Sequence, residues 1–135
     1  MMLTHLHHLA FAVHDLEQGI ALFRRLSGRE PAYRGPVTTR GAEVAVFKLD
    51  NVNIEVVAPT DPEGSLATHL GLHGEGFFHL AFGVDNVDSA AAELAGRGIR
   101  TRSAPYVAFR DWEIAYLRGE DTDGIAMHLI RRDAD

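Results

Sequence analysis

Apolar and small or polar residues alternate with period two in His8-Leu9-Ala10-Phe11-Ala12-Val13. The same pattern returns as His79-Leu80-Ala81-Phe82-Gly83-Val84, an offset of 79 − 8 = 71 residues. Five of the six positions are identical, and the sixth exchanges Ala for Gly. Alternation of this kind predicts two half-buried strands. Leu9, Phe11 and Val13 share one face with their counterparts Leu80, Phe82 and Val84. The other face carries His8, Ala10 and Ala12, matched by His79, Ala81 and Gly83. One histidine and two very small residues make poor core material, so this face is expected to be an open surface on which something can sit.

The rest of the chain falls into elements around these strands. After a strand over 5–13, Leu16, Ile20, Leu22, Phe23 and Leu26 have helical spacing over 15–26, with Gly28 placed as a C-cap. Pro31 and Gly35-Pro36 mark a loop. Two strands follow at 43–49 and 52–57, joined by an Asp50-Asn51 turn. A short helix is expected over 65–72, and Gly74 and Gly76 introduce the second half. There, a strand over 77–84 precedes a helix over 88–97 with Ala91, Leu94 and Ala95 on one face and Gly98 as stop. Strands near 99–103, 113–117 and 125–130 complete the pattern, with a Pro105-containing loop. The order is β-α-β-β-β twice, in an α+β fold. Two halves (about 1–66 and 75–135), each too small for a good core alone, imply one domain of two modules packed side by side.

The repeat also pairs candidate ligands. Glu55 in Asn53-Ile54-Glu55-Val56-Val57 corresponds to His128 in Ala126-Met127-His128-Leu129-Ile130, an offset of 128 − 55 = 73. If the halves pair through their sheets, His8, His79, Glu55 and His128 converge around a pseudo-twofold axis. Imidazole and carboxylate from separate strands suit Zn, Ni, Co, Fe or Mn. Glu43 in Glu43-Val44-Ala45-Val46-Phe47, repeated as Glu113-Ile114-Ala115-Tyr116-Leu117, is a candidate general base beside such an ion. The alternative for Glu43 is a solvated glutamate on an edge strand. His5, His7 and His14 read as surface or interface residues, and His69 and His73 as helix-surface residues. Phe109 and Trp112 suit either a pocket mouth or aromatic core packing.

Composition narrows the partners. The chain has 135 residues, no cysteine and a formal charge of −6. Disulfides, thiolate sites and cysteine nucleophiles are therefore excluded, and the acidic balance argues against nucleic acid or an anionic membrane as partner. No apolar run is long enough to span a bilayer. Met1-Met2-Leu3-Thr4-His5 lacks the basic and apolar regions of a signal peptide, so a cytoplasmic location is expected.

These motifs resemble the vicinal oxygen chelate superfamily, which includes glyoxalase I, methylmalonyl-CoA epimerase, extradiol dioxygenases and bleomycin-resistance proteins. The opening His8-Leu-Ala-Phe-Ala-Val-His-Asp-Leu is similar to the epimerase group's His-Ile-Ala-Ile-Ala-Val-x-Asp-Leu. Ile54-Glu55-Val56-Val57-Ala58-Pro59 resembles its Ile-Glu-Leu-Leu-x-Pro. Gly74-Glu75-Gly76-Phe77-Phe78-His79-Leu80-Ala81-Phe82 resembles Gly-Glu-Gly-Ile-His-His-Ile-Ala-Phe, and Gly124-Ile125-Ala126-Met127-His128-Leu129 lies where the family has Gly-Val-Leu-Ile-Glu-Leu. The resemblance covers nearly the whole chain. It implies paired βαβββ modules forming an open cup-shaped sheet around one divalent metal ion, in a homodimer, with His8, Glu55, His79 and His128 as ligands. It also places Glu43 where epimerases carry one of two glutamates that exchange the substrate's alpha proton.

Position 128 departs from the family pattern, which has a glutamate that both ligates and moves a proton. His128 removes one negative charge and the symmetric carboxylate pair, though an imidazole can still ligate and shuttle a proton. The family's Gly-rich stretch is replaced by Val107-Ala108-Phe109-Arg110-Asp111-Trp112, which points to a substrate smaller or flatter than a CoA ester. The expected function is a metal-dependent isomerase or lyase that chelates vicinal oxygens of a small-molecule substrate, with Glu43 and His128 as catalytic residues. The alternatives are an Fe(II) dioxygenase and a metal-free binding protein of the bleomycin-resistance type.

Overall fold

The computed structural model describes residues 3–135. Eight strands and three α-helices form among them: β1 (Leu3–Ala12), α1 (Leu16–Ser27), β2 (Tyr33–Val37), β3 (Ala42–Lys48), β4 (Asn53–Pro59), α2 (Ser65–His73), β5 (Gly76–Val84), α3 (Val87–Ala95), β6 (Tyr106–Phe109), β7 (Trp112–Tyr116) and β8 (Met127–Arg131). The β-α-β-β-β order occurs twice, with α2 between the two copies. The chain divides into two compact units, one of residues Leu9–Phe78 and the other of the chain up to His8 together with His79–Asp135. No helix of the described residues is long and apolar enough to cross a membrane.

In the Leu9–Phe78 unit, β3 lies between β2 and β4, antiparallel to both. Residues directly opposite in an antiparallel ladder share a face, so the register divides this sheet cleanly. Ala45, Phe47, Ile54, Val56 and Ala58 face Leu16, Ile20 and Phe23 of α1, and Phe11 of β1 stacks on Phe23 with ring centroids 5.5 Å apart. The sequence explains the helix ends. Asp15 accepts hydrogen bonds from the backbone N–H groups of Glu17 and Gln18, and Gly28, at φ 68°, donates its N–H to the Arg24 carbonyl.

Close approach, and not backbone freedom, fixes Gly19 on α1. A Cβ built there would meet Val56 Cγ1 at 2.6 Å and Val13 Cγ2 at 3.0 Å. In an exposed helix, Gly→Ala gains roughly 1 kcal/mol. Here Gly19→Ala is expected to lower stability by about 1–3 kcal/mol through overpacking, measured as a fall in the urea unfolding midpoint at unchanged slope.

In the other unit β5 pairs with β8 in parallel, with Ala81 opposite His128, and β8 pairs with β7 antiparallel, with Tyr116 opposite His128. β6 continues from β7 through a register shift between Val107 and Phe109. Val87, Ala90 and Leu94 of α3 pack on Val84, Ala115, Leu117 and Leu129. Asn86 caps α3 by accepting the Ser89 N–H at 2.9 Å. The chain leaves the helix through Gly98 at φ 87°, with the Ile99 N–H bonded to the Leu94 carbonyl.

Four expectations are corrected. The Gly35-Pro36 loop is strand β2, because Pro36 lies in an outermost strand, where a missing N–H costs no ladder bond. The strand expected at 99–103 is one isolated bridge, Thr101 to Leu117, and the third strand of that half lies at Tyr106–Phe109. On α3 the buried stripe is Val87, Ala90 and Leu94 with the partly buried Ala91, at i, i+3, i+4 and i+7 spacing, and Ala95, the last residue of the helix, lies off it and is exposed. The fourth concerns the face of histidine and small residues, which is closed. His8, Ala10, Ala12, His79 and Ala81 are all 0% exposed, while Leu9, Phe11, Leu80 and Phe82 keep partial exposure. Small side chains close a face by letting neighbours approach. At Gly83, the one position where the six-residue repeat differs, a Cβ would collide with the His5 ring.

Candidate metal centre

Three histidines meet in the unit that contains β5, β7 and β8. His8 comes from β1, His79 from β5 and His128 from β8, and β1 neighbours β5, which neighbours β8. Period-two alternation puts His79 on the face of Ala81, and the parallel register puts His128 opposite Ala81, so these imidazoles project to the same side. That side is opposite the one covered by α3. The three residues are 0%, 0% and 2% exposed, and one ring nitrogen from each lies within 4.8 Å of the other two.

The donor set fits a small divalent ion. His8 Nε2 and His79 Nε2 are 3.2 Å apart. Two imidazole nitrogens bound at about 2.0–2.1 Å in a tetrahedral centre lie about 3.3 Å apart. Three neutral imidazoles leave coordination positions open, and nitrogen donors suit first-row transition ions better than Mg or Ca.

Aromatic groups hold the rings in place. The Trp112 indole, 2% exposed, stacks on His8 with centroids 5.0 Å apart at 25° and meets His7 edge-on at 4.9 Å. Phe109 packs edge-on against the same indole. Trp112 is therefore core packing behind the histidines. Tyr116, opposite His128, packs edge-on to that ring and brings its hydroxyl to 3.4 Å from His79 Nδ1.

His7 corrects an expectation. The sequence reads it as a surface or interface residue, yet within the chain it is 4% exposed, with Nδ1 2.8 Å from His8 Nδ1 and Nε2 3.0 Å from the Ala134 carbonyl oxygen. Trp112 and the turn after β8 cover it, and nothing in the sequence near His7 announces either contact. His5 and His14 are exposed as expected. On α2, His73 is exposed, whereas His69 is half-buried with its ring against Phe78.

Glu55 and Glu43 belong to the Leu9–Phe78 unit, and the register separates them. Glu55 of β4 stands opposite Val46, whereas Glu43 stands opposite Ala58, on the α1 side with Ala45 and Phe47. Glu43 is half-buried on a central strand, not an edge strand. A base working beside Glu55 would need Glu55's face, and Glu43 occupies the other. Glu55 is 4% exposed and pairs with Arg40, 9% exposed, whose Nη1 lies 3.5 Å from Oε1. Burial raises the Glu55 pKa, and the Arg40 charge and hydrogen bond oppose that rise without cancelling it. The Arg40 guanidinium also lies over the Phe78 ring, 5.4 Å from its centroid. Sequence reading missed Arg40, because Thr38-Thr39-Arg40-Gly41 has the composition of a loop and forms a 3₁₀ turn.

Residues 7–116 match the family model described as the glyoxalase/bleomycin resistance protein/dioxygenase superfamily. The chain is 26% identical over 129 residues to the mitochondrial methylmalonyl-CoA epimerase of Homo sapiens, covering 94% of this chain and 73% of that protein. It is also 26% identical to an ethylmalonyl-CoA/methylmalonyl-CoA epimerase of Cereibacter sphaeroides, covering 95% and 98% of the two chains. Among solved structures, a Streptomyces coelicolor methylmalonyl-CoA epimerase variant in complex with 2-nitronate-propionyl-CoA superposes with a TM-score of 0.91. That match has 26% identity and covers 98% of this chain and 96% of the other.

Proposed function

Because the chain belongs to the glyoxalase/bleomycin resistance protein/dioxygenase superfamily, we propose that it is a metal-dependent isomerase that moves the alpha proton of an acyl thioester of the methylmalonyl-CoA class. The observation that carries this reading is the buried group of His8, His79 and His128, whose ligand nitrogens lie within 4.8 Å of one another. It occurs in a chain similar to epimerases over nearly its full length. These relatives favour the CoA ester over the smaller substrate suggested by the bulky 107–112 stretch.

In the proposal the three histidines hold one divalent ion, Zn, Ni, Co, Mn or Fe. Glu55, expected from the repeat as a fourth ligand, lies in the Leu9–Phe78 unit and pairs with Arg40. The bound ion would supply the positive charge that stabilises a developing enolate. The histidine face, walled by Trp112 and Tyr116, keeps bulk water from that charge. His128 stands where the family pattern has a proton-moving glutamate, and we assign it ligation through one ring nitrogen, with proton relay the role of an imidazole that is not bound to the ion. The protein is proposed to act in the cytoplasm as a homodimer, a state that sedimentation velocity reads directly.

The test is exchange of the substrate's alpha proton in D2O with methylmalonyl-CoA, followed by NMR with and without added metal. Metal-dependent exchange is expected. Its absence with methylmalonyl- and ethylmalonyl-CoA under every metal would overturn the isomerase reading, and oxygen uptake with a catechol would replace it by the dioxygenase. Glu43, on the helix side of its sheet, is expected to be dispensable. Glu43→Gln should lose far less than the roughly 10²–10⁴-fold that removal of an acid–base residue costs. A loss within that range would restore Glu43 as the base.

A further inference from the structure

We infer that His7 is a positioning residue that fixes the tautomer of His8 and so aims the His8 Nε2 lone pair into the metal centre. The inference rests on the three-histidine reading of that centre. It follows from counting hydrogens along one chain of contacts. The Ala134 carbonyl can only accept, so His7 Nε2, 3.0 Å away, carries a hydrogen. In a neutral imidazole, His7 Nδ1 is then bare and accepts. His8 Nδ1, 2.8 Å from it, must be the donor. That leaves His8 Nε2 without a hydrogen, facing His79 Nε2 at 3.2 Å. The order of donation is His8 to His7 to Ala134, and all three residues are buried. An outer partner of this kind fixes both the tautomer and the ring orientation of a metal-ligating histidine. The Trp112 indole, stacked on His8 and edge-on to His7, holds both rings in the planes the contacts need.

The same count reaches His79. Without metal, the hydrogen between the two Nε2 atoms belongs to His79, and the Tyr116 hydroxyl donates to His79 Nδ1, 3.4 Å away. With metal bound, His79 Nε2 must be bare, so its single hydrogen moves to Nδ1 and the Tyr116 hydroxyl becomes the acceptor. No proton leaves the protein, and no oxidant or reductant is needed. His79 is therefore expected to change tautomer on loading, while His8 does not.

Nitrogen-15 NMR of histidine-labelled, metal-free protein tests this without activity. The expected result is a hydrogen on Nδ1 of His8 and on Nε2 of His7 and His79. Zn titration should move the His79 hydrogen and leave those of His7 and His8 in place. A His8 hydrogen on Nε2 in the metal-free protein would overturn the inference.

Two variants supply the second readout. Asn at position 7 keeps an acceptor near the Nδ1 position, whereas Phe keeps an aromatic ring and offers none. His7→Phe is expected to weaken Co(II) binding by roughly 10–100-fold, the usual cost of losing an outer partner, with His7→Asn close to the unsubstituted protein. Equal effects of Asn and Phe, or none from Phe, would reject a positioning role. If the Phe variant does not fold, the tautomers and the Asn variant decide the matter. If the unsubstituted protein binds no metal while its tautomers are as stated, the metal reading has failed and the hydrogen-bond chain stands.

Discussion

His128→Ala is expected to abolish tight binding of one Zn(II) or Co(II) per chain. The imidazole is one of three whose ligand nitrogens lie within 4.8 Å of one another, and it is 2% exposed, so no solvent-borne group replaces it at the same place. Loss of an outer partner of a metal site weakens affinity by roughly 10–100-fold, and loss of a direct ligand should exceed that range. Linkage gives a readout independent of turnover. At a metal concentration about 100 times Kd, binding adds about 2.7 kcal/mol to the unsubstituted protein's stability. The urea midpoint should therefore fall on adding chelator to that protein and stay still in His128→Ala. An unchanged Co(II) affinity in the variant would remove His128 from the ligand set and leave it the proton relay alone. The alanine also opens a space behind Tyr116, which packs edge-on to the imidazole at 4.7 Å, so a modest metal-independent loss of stability accompanies the effect.

Arg40→Met should destabilise the fold by about 3–5 kcal/mol, the usual cost of breaking a buried ion pair from one side. Arg40 and Glu55 are 9% and 4% exposed, and the substitution takes from Glu55 the charge that offsets its burial. Replacing both residues by Met removes the stranded charge and should recover most of the loss, since well-packed apolar pairs often match or exceed a buried ion pair. A single substitution as mild as the double one would show that the pair contributes little.

The pH dependence has a fixed sign. The folded protein raises the Glu55 pKa above the ordinary glutamate value of 4.5, so it holds that proton more tightly than the unfolded chain does. The Glu55 contribution to stability is therefore fully present below 4.5 and is lost as pH rises through the elevated value. Without Arg40 the pKa climbs further and the decline spans a wider range. Urea midpoints at several pH values, with Glu55→Gln as the variant lacking the effect, measure it.

Much of this was legible in the chain itself. Period-two alternation located β1 and β5, the repeat gave the β-α-β-β-β order twice, and Asp15 with Gly28 bounded α1. These features depend on local backbone geometry and on the spacing of apolar residues, which a linear sequence records directly. The repeat also contained a constraint on Glu43. It lies three residues before Val46, the partner of Glu55, and an odd separation along a strand reverses the face. Choosing between the two faces required the register, which hairpin pairing sets.

What tertiary structure alone decided is which groups meet across strands. His7 and His8 are neighbours that alternation assigns to opposite faces, yet both are buried, because Trp112 and the turn at Ala134, more than 100 residues away in sequence, cover them. The face of histidine and small residues looked open because it lacks bulk, and it is closed because lack of bulk lets other groups come near. Arg40 became a buried partner of Glu55 only when the 3₁₀ turn carried it there. Sequence determined the elements and the identity of the histidines, since propensity and periodicity act over a few residues. Packing determined their hydrogen-bond partners, since those contacts join residues far apart in the chain.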